Sequence, residues 1–83
     1  MKLLLALSVL LLAGASAQAS CTGEVGAAKA KRYVRHCRDV SPATHPPCNA
    51  ENACSLILAE IRRGCAFLKE DAPAYCRAYL GTR

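Results

Sequence analysis

The side chains best suited to acid–base chemistry in this 83-residue sequence are two histidines and a few carboxylates. His36 and Asp39 are three residues apart, so on a helix one could orient the other, although the spacing also fits a solvated surface pair. His45 lies in a proline-rich segment, and the adjacent Glu70 and Asp71 fit a solvated helix end. None of these spacings pairs a nucleophile with a positioned base, so we expect no enzymatic activity.

Cysteines are the second group of reactive side chains. The six cysteines are Cys21, Cys37, Cys48, Cys54, Cys65 and Cys76. No two of them have the close spacing that structural zinc sites use, and the redox motif C-x-x-C is absent. An even number of cysteines in a short chain is typical of disulfides formed in an oxidising compartment. We therefore predict three disulfides, no metal and no cofactor.

The pairing of the cysteines is not fixed by the sequence alone, because six cysteines allow many connectivities. If the first two helices are antiparallel, the end of the first meets the start of the second. That arrangement favours the pairs Cys37–Cys54, Cys21–Cys65 and Cys48–Cys76.

The first nineteen residues have the composition of a secretory signal peptide. Lys2 precedes an apolar run that is too short to span a bilayer, and small residues follow, ending in Ala17-Gln18-Ala19. Cleavage after Ala17 also satisfies the rule, and a retained N-terminal helix is the alternative. We predict a signal peptide over 1–19 and one cysteine-rich helical domain over 20–83, which is secreted or periplasmic.

Three helices are expected in that domain, giving an all-α fold. The first spans 22–40, with Thr22 as its N-cap and with Ala30, Val34, Cys37 and Val40 on its apolar face. Gly23 and Gly26 weaken its first turn. Residues 41–49 contain three prolines and predict an extended connection that Cys48 ties to the rest of the domain.

The second helix is predicted over 50–70, with Asn49 or Asn52 as its cap. Its buried stripe consists of Cys54, Ile57 or Leu58, Ile61, Cys65 and Leu68, whereas Glu60, Arg62 and Arg63 point elsewhere. Leu56 and Phe67 lie off this stripe, which indicates a helix covered on more than one side. Gly64 is either a site of close backbone approach or an irregularity.

A third helix over 73–80 follows a turn at Pro73, and Cys76, Tyr79 and Leu80 are expected to face inward. The segments 20–23 and 76–80 resemble the corresponding segments of arthropod hyperglycaemic-type neurohormones, which are also six-cysteine helical modules. The middle of the chain departs from that family, because a proline-rich loop separates Cys37 from Cys48. The resemblance therefore implies no function.

Positive charge is the strongest signal that does not concern folding. The full chain has a net charge of +5, and removal of Lys2 with the leader leaves ten basic and six acidic residues, a net charge of +4. The basic residues concentrated in the first helix are Lys29, Lys31, Arg32, Arg35 and Arg38. Lys31, Arg35 and Arg38 form one column, which the other two widen. The pattern indicates either ordinary solubilising charge or a binding face.

The predicted function is that of a small secreted non-enzymatic protein that acts by surface binding, as a ligand, effector or inhibitor. The expected partner is an acidic protein surface or an anionic membrane surface. Nucleic acid is not expected, because the aromatic residues do not alternate with the basic ones as in a stacking platform. Tyr33, Phe67, Tyr75 and Tyr79 are instead assigned to the core or its rim. A basic membrane-active or antimicrobial toxin is the alternative, and a monomer is expected in either case.

Overall fold

The computed structural model describes residues 20–41 and 46–81. Helix accounts for 72% of these residues and no strand occurs among them, which confirms the predicted all-α fold stapled by disulfides. The four α-helices are α1 Cys21–Val25, α2 Ala27–Val40, α3 Cys54–Leu68 and α4 Cys76–Leu80, and a 3₁₀ turn, Lys69–Asp71, follows α3. The predicted signal peptide and His45 lie outside the described residues.

The first predicted helix is divided into α1 and α2 at Gly26. Gly26 has a φ of 93°, a conformation that glycine adopts at little steric cost. Its N–H donates to the carbonyl oxygen of Thr22 at 2.8 Å, which closes α1. The N-cap of α1 is Ser20 rather than the predicted Thr22, because the Ser20 Oγ accepts a hydrogen bond from the Gly23 N–H at 3.0 Å. The break at Gly26 gives four helices where three were expected.

The second predicted helix begins at Cys54, later than expected, and its N-terminus is capped by α1. A carboxylate oxygen of Glu24 accepts a hydrogen bond from the Cys54 N–H at 3.1 Å, next to the positive end of the α3 dipole. Asn49 and Asn52, the predicted caps of this helix, instead form hydrogen bonds in the segment that precedes it. The Asn49 side chain accepts from the Glu51 N–H at 2.8 Å, and the Asn52 carbonyl accepts from the first N–H of α1 at 2.7 Å.

The core is small and consists largely of cystine. Ten apolar residues are buried in the described part of the chain, and six of them are the cysteines. The other four are Ala30, Val40, Ile57 and Ile61. These positions confirm the apolar faces predicted for α2 and α3. Because so few aliphatic side chains are buried, the disulfides must supply much of the stability.

Helices α2 and α3 make their closest contact at Gly64. A Cβ atom at this position would lie 2.8 Å from both the carbonyl carbon and the Cγ2 of Val40. Close backbone approach, one of the two interpretations of this glycine, is therefore confirmed. At the same contact the Ser41 hydroxyl donates to a carboxylate oxygen of Glu60 at 2.5 Å. The end of α2 thus meets the later part of α3.

All six cysteines form disulfides, as predicted, but the proposed pairing is wrong. The pairs are Cys21–Cys54, Cys37–Cys48 and Cys65–Cys76, with sequence separations of 33, 11 and 11 residues. They replace the expected pairs Cys21–Cys65, Cys37–Cys54 and Cys48–Cys76. Two disulfides join a helix to the segment that follows it, and the third joins the start of α1 to the start of α3.

The pairing prediction failed because it assumed that α2 and α3 are antiparallel. The connection 41–53 can extend on the order of 40 Å, whereas α2 is about 21 Å long. The chain can therefore return along α2 before α3 begins. The Cys21 N–H at the start of α1 donates to Asn52, just before α3, and the end of α2 lies against Gly64. The start of α1 therefore lies near the start of α3, and the end of α2 lies near the later part of α3.

Helix α4 is shorter than the predicted 73–80. A turn precedes it, in which the Cys76 N–H donates to the Pro73 carbonyl oxygen at 3.0 Å. Cys76 is buried and Tyr79 is half-buried, as predicted, but Leu80 remains 47% exposed. The inward-facing role predicted for Leu80 is therefore wrong, because a helix of five residues buries only a narrow face.

Glu60 is buried, in contrast to the prediction that it points away from the core. The residue is 8% exposed, and its carboxylate accepts hydrogen bonds from Ser41 and from the Arg63 guanidinium at 2.7 and 3.1 Å. The hydrogen bonds from Arg63 and then from Ser41 hold the pKa of Glu60 below its ordinary value. Glu60 therefore links the end of α2 to α3 in its ionised form.

We expect the stability conferred by Glu60 to disappear in acid. Its lowered pKa means that this contribution is present above the ordinary value of 4.5 and is lost as the pH falls through the folded-state pKa. Glu60→Gln should be less stable than the parent protein at about pH 6 in urea unfolding, and the gap should narrow at about pH 3. Glu70→Gln is the control, because Glu70 is exposed. A gap that stays constant with pH would contradict the expectation.

Candidate functional site

The exposed side of α2 carries the predicted basic column. Lys31, Arg35 and Arg38 are all exposed. Because an α-helix turns about 100° per residue, the three lie within about 60° of one another around the axis of α2. We refer to these three residues as the basic face. Arg32 lies about 100° from Lys31 and borders the face, whereas Lys29 lies about 160° away, on the other side of α2.

No carboxylate side chain forms an ion pair with the basic face. All six aspartates and glutamates of the sequence belong to the described residues, where the single ion pair within 4 Å joins Arg63 to Glu60. The acidic residues closest to the basic face in sequence have other partners. Asp39 accepts a hydrogen bond from Tyr75, and Glu24 caps α3. The positive charge of the basic face is therefore available to an external anion.

A cleft of about 340 Å³ follows one edge of the basic face. Lys31 and Arg38 line it from α2, together with Val34 and Ala27. The segment 48–50 lines it as well, beside Thr22 from α1. The cleft therefore combines two cationic side chains with apolar and small ones, and its volume is at the lower end of the range for ligand sites.

No pattern in the sequence indicates this cleft. Val34 was assigned to the apolar face of the first helix, and Ala50 to the start of the second. The cleft exists because the Cys37–Cys48 disulfide holds the returning connection beside α2. That contact depends on the cysteine pairing, so no local pattern could have predicted it.

On the other side of α2, His36 belongs to an aromatic cluster with Tyr33, Tyr75 and Tyr79. The His36 ring stacks on Tyr75 with centroids 3.7 Å apart, and its Nδ1 lies 2.7 Å from the Tyr79 hydroxyl oxygen. The Tyr75 hydroxyl donates to Asp39 at 3.2 Å. His36 and Asp39 therefore hydrogen-bond to tyrosines and not to each other. Neither interpretation of their spacing is correct: His36 is not oriented by Asp39, and the two do not form a simple solvated pair.

Burial favours the uncharged forms of His36, Tyr75 and Tyr79. Burial, followed by the charge of Arg35, lowers the pKa of His36, while Asp39 acts in the opposite direction. Burial, with Asp39 as the second cause, raises the pKa of Tyr75 to about 12. Burial also raises the pKa of Tyr79. The hydrogen bonds and stacking of these groups hold α4 against α2.

The outer side of α3 is exposed, which contradicts the prediction of a helix covered on more than one side. Leu56 and Phe67 are 55% and 68% exposed. They are eleven residues apart and so share one side of the helix, with Arg63 between them. The assignment of Phe67 to the core or rim is therefore wrong, because no helix among the described residues covers this side of α3.

Two further properties concern the described residues as a whole. In 20–41 and 46–81, no group of three histidine, cysteine or acidic side chains is arranged to hold a metal ion. Within the same ranges, no helix has the length and apolar character required to cross a membrane.

Comparison with known proteins identifies no relative of this chain. The chain matches no protein-family model, no curated protein and no solved structure.

Proposed function

We propose that this chain is a small secreted, non-enzymatic protein that acts by binding an acidic protein surface through the basic face. The observation that carries the proposal is that three exposed cations share one side of α2 while no side-chain carboxylate pairs with them. Like charges at helical spacing cost a few tenths of a kcal/mol per pair. That cost is offset if an external partner supplies the missing negative charge.

The chemistry of such a face favours electrostatic steering. Exposed cations attract an acidic surface at long range, and the attraction is screened beyond about 8–10 Å near physiological salt. Charges at the rim of an interface act mainly on the association rate. We therefore expect binding that weakens as ionic strength rises and that needs neither a cofactor nor nucleic acid.

The proposed location is the extracellular space or a periplasm. Three intramolecular disulfides are consistent with an oxidising compartment. Removal of residues 1–19 as a signal peptide and action as a monomer are parts of the same proposal.

A basic membrane-active toxin is the second candidate function. The observations that favour it are the exposed pair Leu56 and Phe67 on one side of α3 and the positive net charge of the chain. Exposed apolar side chains on a basic protein are typical of surfaces that bind anionic membranes. In this candidate function the binding surface lies on α3 instead of α2. Substitutions on the two helices therefore distinguish the two candidate functions.

The test is a triple variant in which Lys31, Arg35 and Arg38 are each replaced by Gln. A glutamate-rich peptide serves as the acidic probe, and its affinity is measured for the oxidised protein in low salt. We expect the triple variant to lose about tenfold in affinity, because three exposed ion pairs contribute on the order of 0.5 kcal/mol each.

The matched control removes the same net charge elsewhere, by replacing the exposed Arg62, Lys69 and Arg77 with Gln. It should retain the affinity of the parent protein, apart from the general effect of net charge. Equal losses in the two variants would contradict the proposal. Leakage of anionic vesicles that requires Leu56 and Phe67, without binding of the peptide, would favour the second candidate.

A further inference from the structure

We infer that the cleft beside the basic face binds an extended segment of the acidic partner, in which two carboxylate side chains flank one small apolar side chain. The inference rests on the proposed function and names the chemistry that the same site recognises. It is carried by the cleft of about 340 Å³, in which Lys31 and Arg38 lie on either side of Val34 along α2.

The spacing of the two cations indicates two carboxylates on the ligand. Lys31 and Arg38 are seven residues apart, which corresponds to about 10 Å along the helix axis. A ligand with one carboxylate would pair with one of them and leave the other unpaired. An extended peptide advances about 3.3 Å per residue, and its side chains alternate between two faces. Acidic residues four positions apart therefore share one face with the residue midway between them and span about 13 Å, which the long side chains of Lys31 and Arg38 can reach. No side-chain carboxylate of the chain itself competes for these cations.

The lining between the cations indicates an apolar group on the ligand. Val34 lies between Lys31 and Arg38 in the sequence, and its side chain is half-buried. The small side chains of Ala27 and Ala50 leave room beside it. An aliphatic side chain placed there would exclude water from these apolar groups. A glycine or serine at the same ligand position would not make this contact.

The wall opposite α2 is already in place before a ligand arrives. The Cys37–Cys48 disulfide joins segment 48–50 to α2, and the Thr22 N–H donates to the Ala50 carbonyl oxygen at 3.3 Å. A cleft held by a covalent link and a backbone hydrogen bond loses little conformational freedom on binding. The same rigidity allows it to discriminate between ligands that differ in one side chain.

The experiment compares two peptides that differ at one position. In the first, two glutamates four positions apart have a valine midway between them, and in the second a serine replaces the valine. Titration calorimetry in low salt should show the valine peptide binding about tenfold or more tightly, which is the usual effect of one apolar group in a fitted pocket. Equal affinities would overturn the inference while leaving the proposed function intact.

Two substitutions on α2 locate the effect. Ala27→Trp fills the cleft and should reduce the affinity for the valine peptide about tenfold, to that of the serine peptide. Ala28→Trp is the matched control and should retain the preference, because Ala28 is also exposed but does not line the cleft. Both positions are exposed, so neither substitution enters the core, and circular dichroism confirms folding. A preference that survives Ala27→Trp would overturn the inference.

A charge variant provides an independent measurement. Lys31→Gln combined with Arg38→Gln should lose more affinity for the valine peptide than Arg35→Gln combined with Arg32→Gln, because only the first pair lines the cleft. Equal losses in the two double variants, or tighter binding of the monocarboxylate dodecanoate than of the valine peptide, would overturn the inference. Failure of both peptides to bind in low salt would overturn the proposed function and the inference together.

Discussion

Replacing Cys21 and Cys54 together by alanine is expected to lower the free energy of unfolding by about 4 kcal/mol. This disulfide spans 33 residues and links the start of α1 to the start of α3, so its removal frees the longest loop of the unfolded chain. In a domain of this size such a loss corresponds to a midpoint of thermal unfolding lower by about 15–30 °C. Thermal and urea unfolding of the oxidised variant measure the effect.

The matched control replaces Cys65 and Cys76 by alanine. That disulfide spans 11 residues, so its loss should cost about 3 kcal/mol, less than the loss of the longer link. Both variants remove two buried side chains, which keeps the packing terms comparable. If the Cys65 and Cys76 variant is the less stable of the two, loop length does not determine the contribution of the disulfides.

Gly64→Ala is expected to destabilise the protein by about 2 kcal/mol, although alanine is the better helix former by about 1 kcal/mol. A Cβ atom at Gly64 would lie 2.8 Å from the Val40 carbonyl carbon, so α2 and α3 would have to separate. Backbone atoms cannot rotate out of the way as a flexible side chain can. The steric cost therefore exceeds the gain in helix propensity, and urea unfolding should show a net loss.

Gly23→Ala is the control for this substitution. Gly23 is also helical, and a Cβ atom there would lie 3.4 Å from the Ser20 Oγ, which is an ordinary contact distance. Helix propensity alone should then act, and the variant should gain up to about 0.5–1 kcal/mol. A Gly64→Ala protein stabilised to the same extent would show that α2 and α3 are not in contact at this residue.

The apolar faces of the helices could be predicted from the sequence because they depend on local periodicity. Ala30, Cys37 and Val40 recur at helical spacing, and all three are buried in α2. The same pattern identified Ile57 and Ile61 in α3. A helix that buries one side must repeat apolar residues at this spacing, whatever its neighbours are.

The cysteine pairing and the caps could not be predicted, because they depend on contacts between residues distant in sequence. Glu24 caps α3 at Cys54 across 30 positions of the chain, so no capping motif near Cys54 reveals it. The pairing follows from the path of the connection, and its length allows either orientation of the helices. Gly26 was identified as a weak point, but its positive φ, which divides the helix, requires knowledge of the backbone.

The same distinction applies to the candidate site. The exposed positions of Lys31, Arg35 and Arg38 follow from their spacing on a single amphipathic helix. Their lack of an acidic partner does not, because it depends on where Asp39 and Glu24 find theirs. The basic residues could thus be predicted from the sequence, whereas the fold determines which of them have no acidic side chain within ion-pairing distance.

The most direct measurement is a chemical-shift titration of the isotope-labelled, oxidised protein with the glutamate-rich peptide in low salt. Binding to the basic face predicts that the backbone amides of Lys31, Val34 and Arg38 shift most, and that added salt reverses the shifts. The amides of Leu56 and Phe67 on α3 should remain unchanged. Shifts centred on Leu56 and Phe67, or no shifts at any residue of α2, would contradict a binding role for the basic face.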